Sequence, residues 1–305
     1  MRAVWPLIGY VAGVFALGAV LAYPVYGLLD FWWNEAPPFH KVVHRTLKLS
    51  ALIALWPLMH WMGLFSRRQW GYAITRGSFA TEATLGVLFG IGSLGFLVTG
   101  LVLLDVRLLT SLPQMTPTAF VVVLGKALAA GLVIGLIEET WFRGALFSAV
   151  SREMHRVRAV WVTAVLFGVV HFIRADPAIV PLDPTWSDGF VVLANSFHLF
   201  AGSAFIDSFL ALVAAGLLLG LMRQHQGHIA YCIGVHAGWV AVIKTTQKIS
   251  EVNHDSPLAF LVGSYDGVIG YLAFVVFGVL SIGYYGLVVR GTTARPTKHR
   301  WRMRR

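Results

Sequence analysis

Long apolar stretches alternate with short polar ones along most of this chain. A helix of about 20 apolar residues crosses a hydrocarbon core of about 30 Å, because each residue adds about 1.5 Å. The pattern therefore predicts an all-α, polytopic integral membrane protein with about eight transmembrane helices. The predicted spans are residues 3–29, 49–65, 83–104, 119–150, 159–173, 203–222, 229–243 and 268–289.

The polar stretches between these spans are too short to form soluble domains. We interpret residues 30–48, 66–82, 174–189 and 244–267 as loops. The chain is thus predicted to be a single membrane domain over residues 1–305. Its parts are three N-terminal helices (1–118), a catalytic core of helices 4–7 (119–243), a loop with the last helix (244–290) and a basic tail (291–305). The first span is longer than the apolar region of a signal peptide, so we expect a retained helix.

The composition excludes most other classes of protein. Hydrophobic residues make up 57% of the chain and charged residues only 12%, whereas a soluble domain carries about 25% charged residues. So little charge cannot cover the surface of a soluble globule of this size, which argues against a soluble enzyme and a disordered chain. The single cysteine, Cys232, cannot form an internal disulfide, so a disulfide-stapled secreted domain is also a poor fit.

The net charge of +10 is unevenly distributed along the chain. Cytoplasmic loops of membrane proteins carry an excess of Lys and Arg, and a cytoplasmic N-terminus places most of the 24 basic residues on that side. We therefore predict a multi-pass protein of the cytoplasmic (inner) membrane with both termini in the cytoplasm. Residues 295–305 would then face anionic lipids, so the expected partners include the lipid bilayer and no nucleic acid.

Two adjacent glutamates lie inside the fourth predicted span. Glu138 and Glu139 follow the apolar run 128–137, and ionisable groups at bilayer depth are functional candidates. Neighbouring helix residues point about 100° apart, so the two carboxylates cannot share one face. Glu139 and Arg143 have the i, i+4 spacing of a helical ion pair, which would leave Glu138 as the free acid or base. The alternative is a solvated, purely structural pair at the helix end.

Two histidines are predicted to lie at a similar depth. Glu138 precedes the polar turn 151–158 by as many residues as His171 follows it, which puts both about 15–20 Å from that turn in a helical hairpin. His236 follows the next turn on the same side, at 223–228, and lies about 12 Å from it. A single His in a membrane helix is usually a packing residue. Two of them level with a Glu pair indicate a site.

Glutamate and histidine in a cavity with little water support two kinds of hydrolysis. A desolvated Glu is a suitable general base for water, and a His can orient the water or donate to a developing oxyanion. Alternatively, Glu138, His171 and His236 could bind zinc and generate hydroxide. A proton relay in a transporter is a further use of these groups, although the sequence shows no evident repeat.

Three motifs in this region resemble a known family. They are Glu138-Glu139-x-x-x-Arg143, Phe167-x-x-x-His171, and His236 within Gly234-Val-His-Ala-Gly-Trp239. This pattern, over about residues 119–243, is similar to that of the CAAX protease and bacteriocin-processing family, also called the type II CAAX prenyl endopeptidase-like or Abi family. The resemblance implies an intramembrane peptidase built as an eight-helix bundle.

The resemblance also implies a role for each residue of the motifs. Glu138 would activate the water, with support from Glu139 and Arg143. His171 would position or polarise the water, and His236 would contribute to the oxyanion site. Some members have been called metalloproteases, whereas the eukaryotic type II CAAX enzymes of the family look like glutamate peptidases without metal. We therefore expect no cofactor, with zinc held by Glu138, His171 and His236 as the alternative.

One position departs from the pattern of the family. Members often carry Asn four residues after the last His, where this chain has Val240, which cannot donate a hydrogen bond. The sequence thus predicts an intramembrane endopeptidase acting on a peptide or membrane-protein substrate. A non-catalytic membrane-protein binder or chaperone on the same scaffold, and a proton-coupled transporter, are the alternatives.

Overall fold

The computed structural model describes residues 4–33, 37–179 and 183–286. Within these ranges most residues are helical, and the strands are limited to one short pair. The helices are α1 (Val4–Trp33), α2 (Phe39–Trp61), α3 (Arg76–Leu103), α4 (Pro117–Glu139), α5 (Phe147–Glu153), α6 (Arg156–His171), α7 (Asp188–Asn195), α8 (Ile206–Gln226), α9 (Ala230–Ile249) and α10 (Tyr271–Tyr284). A π-helical segment (Thr140–Leu146) joins α4 to α5. Two short strands, β1 (Arg107–Leu108) and β2 (Glu251–Val252), pair antiparallel, with Arg107 opposite Val252.

The prediction of an all-α, polytopic membrane protein is confirmed. In the described part, five helical stretches are long and apolar enough to cross a membrane: Ile8–Trp32, Phe39–Trp61, Arg76–Leu103, Pro117–Glu153 and Ile206–Gln226. The other three predicted spans coincide with α6, α9 and α10, which are shorter or less apolar, so the count of eight stays a prediction. Residues 287–289 of the last predicted span and the basic tail lie outside the described residues.

The interpretation of residues 30–48 as a loop was wrong for most of that stretch. Helix α1 extends to Trp33, and α2 begins at Phe39, directly after Pro38. The buried residues in the first turns of α2 recur at helical spacing: Phe39, Val42, Val43, Thr46 and Leu47. This face packs on α1, where the Thr46 hydroxyl donates to the Gly18 carbonyl over 2.8 Å. The charged residues of this stretch lie on other faces of an amphipathic helix.

Helix α9 is packed closely between α3 and α4 through glycines. The glycines are Gly86 and Gly90 on α3, Gly131 and Gly135 on α4, and Gly234 and Gly238 on α9. A Cβ at Gly90 would lie 2.3 Å from the carbonyl oxygen of Val235, and one at Gly131 would lie 2.5 Å from that of Ala237. Small residues at this spacing let membrane helices approach backbone to backbone. The side chains of α9 are therefore brought directly against α4.

Helix α8 lies against α6 on one side and α10 on another, and it completes the core around the centre of the bundle. A Cβ at Gly216 would lie 2.9 Å from the Cα of Ala164, so α6 and α8 also approach closely. The largest cluster of buried apolar residues joins α3, α6, α8, α9 and α10. The π-helical segment and α5 also contribute to this cluster. The charged residues described next lie at the end of α4 and in that π-helical segment.

Candidate active site

The two glutamates at the end of α4 lie in different surroundings. The side chain of Glu139 is fully buried, whereas that of Glu138 is 27% exposed. Directly after them the helix widens into the π-helical segment that carries Arg143, a local geometry that is common at functional sites. The two carboxylates thus diverge, as their adjacent positions on a helix require.

Glu139 contacts both other members of a buried charged network. Its Oε1 lies 3.0 Å from Nη1 of Arg143 and 2.8 Å from Nδ1 of His236. The Arg143 guanidinium also donates through Nη2 to the Gly216 carbonyl of α8 over 3.1 Å, and it stacks 4.5 Å above the ring of Phe167. The i, i+4 ion pair predicted from the sequence is present. It balances the charge of Glu139 and fixes the position of His236.

Hydrogen bonds orient both imidazole rings in the same way. Nδ1 of His171 donates to the Phe167 carbonyl over 2.6 Å, and Nδ1 of His236 donates to the Glu139 carboxylate. Because a carbonyl or carboxylate oxygen only accepts, each Nδ1 carries a proton. In the neutral rings, Nε2 is therefore a free hydrogen-bond acceptor.

Both Nε2 atoms point towards Glu138. Oε2 of Glu138 lies 3.7 Å from Nε2 of His171 and 3.9 Å from Nε2 of His236. These distances are too long for direct hydrogen bonds, and this buried oxygen has no hydrogen-bond partner among the described residues. Above about 3.5 Å, polar groups interact through a bridging water rather than directly. The structure thus brings together all five residues singled out from the sequence.

The same three side chains do not form a ready metal site. Donors of a tetrahedral zinc ion with bonds of about 2.0–2.1 Å lie about 3.4 Å apart, and the two separations from Glu138 exceed this. Among the described residues, no group of three His, Cys, Asp or Glu side chains is arranged to hold a metal ion.

A comparison with protein-family models matches residues 119–242 to the type II CAAX prenyl endopeptidase Rce1-like family. This segment is similar to the Rce1-like family. The resemblance inferred from the three motifs is thus confirmed, and all five residues of the network lie inside the Rce1-like segment. Searches of the curated proteins and of the solved structures found no match to this chain.

One residue beside the site lies beyond the Rce1-like segment and was missed by the sequence analysis. Tyr265 belongs to the loop before α10, and its ring centroid is 6.3 Å from that of His171. The guanidinium of Arg174 lies 5.3 Å from the centroid of the same ring. Burial raises the pKa of Tyr265 to about 12, and the charges of Asp266 and Glu138 act in the same direction. The phenol is therefore a hydrogen-bond donor at neutral pH.

Tyr265 lies in residues 244–267, which the sequence predicts to be a loop, and no motif or periodicity in the sequence marks it. Val240 lies one turn after His236 on α9 and is half-buried. The Val240 side chain therefore places no hydrogen-bond donor on the face of α9 that carries His236. The phenol of Tyr265, which lies outside the Rce1-like segment, thus provides a hydrogen-bond donor near the site, whereas α9 provides none at position 240.

Proposed function

We propose that this protein is an intramembrane endopeptidase in which Glu138 is the general base that activates water. One observation carries the proposal: the buried Oε2 of Glu138 has no hydrogen-bond partner in the described part of the chain, and it faces two imidazole Nε2 atoms at 3.7 and 3.9 Å. The family model that matches the chain is that of an endopeptidase, which supports the same reaction class.

In the proposed reaction, a water held by Glu138 and by Nε2 of His171 attacks the scissile carbonyl carbon. Glu138 takes the proton of the water, a C–O bond forms, and the carbonyl oxygen becomes an oxyanion. In this step His236 is an imidazolium with a proton on each ring nitrogen rather than a neutral ring. Its Nε2–H donates to the oxyanion, and its Nδ1–H stays on the Glu139 carboxylate, which favours the charged ring. Collapse of the intermediate breaks the C–N bond, and Glu138 returns its proton to the leaving amine.

Glu139 and Arg143 hold this arrangement without touching the substrate in the proposed mechanism. Arg143 is 1% exposed and contacts Glu139 and Gly216 in the protein interior. By holding Glu139 in place, it fixes the position of His236. We propose a peptide or membrane-protein substrate that reaches the site within the bilayer. A prenylated CAAX sequence is the substrate class that gives the family its name, and other membrane peptides are equally compatible with the geometry.

The test is a comparison of Glu138→Gln with Glu251→Gln, which changes an exposed glutamate of β2. Loss of a general base typically costs about 10²–10⁴ in rate, so Glu138→Gln should abolish cleavage while its melting temperature matches that of the parent. Membranes that express the parent should contain new peptide termini that are absent with Glu138→Gln and present with Glu251→Gln. Parental cleavage by folded Glu138→Gln protein would refute the assignment.

The dependence on zinc is tested on the same purified protein. Metal analysis and chelator treatment during the cleavage assay separate a glutamate peptidase from a zinc enzyme. We expect substoichiometric metal and cleavage that survives chelation. Full inhibition by a chelator, reversed by added zinc, would instead assign Glu138, His171 and His236 as ligands.

Val240 supports one other function, a non-catalytic binder of membrane proteins on the same scaffold. Its side chain supplies no donor at the position where family members often have Asn, and removal of one oxyanion donor costs about 2.7–4 kcal/mol of transition-state stabilisation. Capture of a membrane protein that stays intact with the parent as well as with Glu138→Gln would favour the binder over the peptidase.

A further inference from the structure

A polar cavity lies at the end of the bundle where α5, α6 and α8 meet the loop that follows α2. Its volume is about 360 Å³. Four arginines contribute to its lining, and no carboxylate does: Arg68, Arg152, Arg156 and Arg223. This arginine cavity is separate from the Glu138 site, because none of the five residues of that site lines it.

Arg223 is the buried member of this group. It is 7% exposed, and its Nε donates to the Arg143 carbonyl over 3.0 Å. Its Nη2 lies 3.5 Å from the Arg68 carbonyl, at the limit of a hydrogen bond. In the described part of the chain, no carboxylate forms an ion pair with it. A buried guanidinium without a counter-charge is costly, so an anion in the cavity would be stabilised strongly.

Two further side chains of the cavity have unused hydrogen-bonding capacity. Oγ of Ser151 and Oε1 of Gln224 are buried and have no hydrogen-bond partner among the described residues. A serine hydroxyl is a donor, and the Gln224 amide can present its NH₂ group after a flip that leaves its shape unchanged. Both groups can therefore donate to the same ligand as the arginines.

The position of the cavity indicates where the ligand comes from. Arg152 lies in the last turn of α5, Arg156 in the first turn of α6 and Arg223 in the last turn of α8. Two of these ends belong to stretches long and apolar enough to cross a membrane, Pro117–Glu153 and Ile206–Gln226. The cavity is thus at the level of lipid headgroups, where basic pockets between helices bind anionic lipids.

We propose that the arginine cavity is a binding site for a phosphate group, supplied either by the headgroup of an anionic phospholipid or by free phosphate. Phosphate oxygens match the paired N–H groups of arginine, and several such bonds form at once in a cavity with four guanidinium groups. Ser151 and Gln224 would complete the set of donors. The site is independent of the peptidase proposal, since it uses other residues and needs no substrate.

The experiment measures the thermal stability of the full chain in detergent micelles during titration with phosphatidylglycerol. Matched titrations use phosphatidylcholine, and inorganic phosphate in the absence of anionic lipid. A ligand that binds only the folded protein raises its melting temperature in proportion to occupancy. We expect phosphatidylglycerol to raise the melting temperature and phosphatidylcholine to leave it unchanged. Saturation by inorganic phosphate alone would identify the free anion as the ligand of the same site.

Two double variants test whether the effect comes from the cavity. Arg68→Gln/Arg156→Gln removes two exposed arginines of the lining, and Arg67→Gln/Arg158→Gln removes two exposed arginines beside them that do not line it. Both variants lose the same charge. We expect the first to weaken the apparent affinity at least tenfold and the second to match the parent.

Equal affinities in the two double variants, or no stabilisation of the parent by either phosphate source, would overturn the proposal. If Arg68→Gln/Arg156→Gln does not fold, the single variants Arg156→Gln and Arg158→Gln provide the same comparison on one helix. Loss of cleavage in Glu138→Gln has no bearing on this result, so failure of one proposal leaves the other testable.

Discussion

Glu138 and Glu139 are adjacent in sequence but have different structural roles. Glu139 neutralises Arg143 inside the bundle, whereas Glu138 is partly exposed and forms no ion pair with a Lys or Arg of residues 4–33, 37–179 and 183–286. Removal of one partner from a buried ion pair costs about 3–5 kcal/mol, because the other charge is left uncompensated. We therefore expect Glu139→Gln to lower the melting temperature strongly and Glu138→Gln to leave it near that of the parent.

Thermal unfolding of the two purified variants in the same detergent checks this prediction. Each serves as the control for the other, since both replace a carboxylate by an amide at adjacent positions of one helix. Equal melting temperatures would show that the Glu139–Arg143 contact does not support the fold.

Tyr265 is the second residue whose role can be isolated. If its phenol donates to the oxyanion in place of the absent donor at position 240, Tyr265→Phe should lower kcat about 10²-fold and leave KM and the melting temperature unchanged. The control is Tyr271→Phe, which removes a hydroxyl from a more exposed tyrosine at the start of α10. A kcat equal to that of the parent would exclude the phenol from the reaction.

The residues of the site differ in how well the sequence predicts them. Glu138, His171 and His236 lie on helices, where counting residues from a turn gives depth, so their convergence was predictable. The ion pair of Glu139 and Arg143 follows from helical spacing alone. Tyr265 comes from an irregular loop, whose path depends on tertiary contacts with Phe172 and Arg174 and leaves no periodic signal.

At the scale of the helices, the position of His236 depends on how closely α9 approaches its neighbours. A Cβ at Gly90 would lie 2.3 Å from a backbone oxygen of α9, whereas one at Gly92 on the same helix would meet no atom within 4 Å. Gly90→Ala should therefore reduce both the melting temperature and cleavage. Gly92→Ala should be neutral or stabilising by up to about 1 kcal/mol, because alanine favours the helix.

Melting temperature and cleavage rate of the two glycine variants are the measurements for this prediction. Parental behaviour of Gly90→Ala would mean that α3 and α9 can separate without loss of function. Close packing of this kind also explains why hydropathy alone does not mark α9 as a span. Hydropathy reports exposure to lipid, and a helix such as α9, whose residues mostly face protein, does not need an apolar surface.

The arrangement of the whole molecule in the membrane is the remaining prediction from charge. The excess of Lys and Arg predicts that the loop at Arg67 lies in the cytoplasm and the loop at Asp183 outside. The chain between them runs through α3, the stretch Pro117–Glu153 and α6. If α3 and the stretch Pro117–Glu153, which are both long and apolar enough, cross the bilayer, the two loops lie on opposite sides only if α6 crosses as well. Determining the side on which each loop lies thus tests two things: the orientation of the chain, and whether α6 crosses the bilayer. The 16 residues of α6 are marginal for a full crossing.

Single cysteines at these two exposed positions make the measurement direct. The native Cys232 is fully buried and should give no background with a membrane-impermeant maleimide. In intact cells we expect Asp183→Cys to be labelled and Arg67→Cys to react only after the membrane is opened. Labelling of Arg67→Cys alone would reverse the orientation. Labelling of both would place the loops on the same side, so that α6 enters the membrane without crossing it and presents His171 to Glu138 from a re-entrant hairpin.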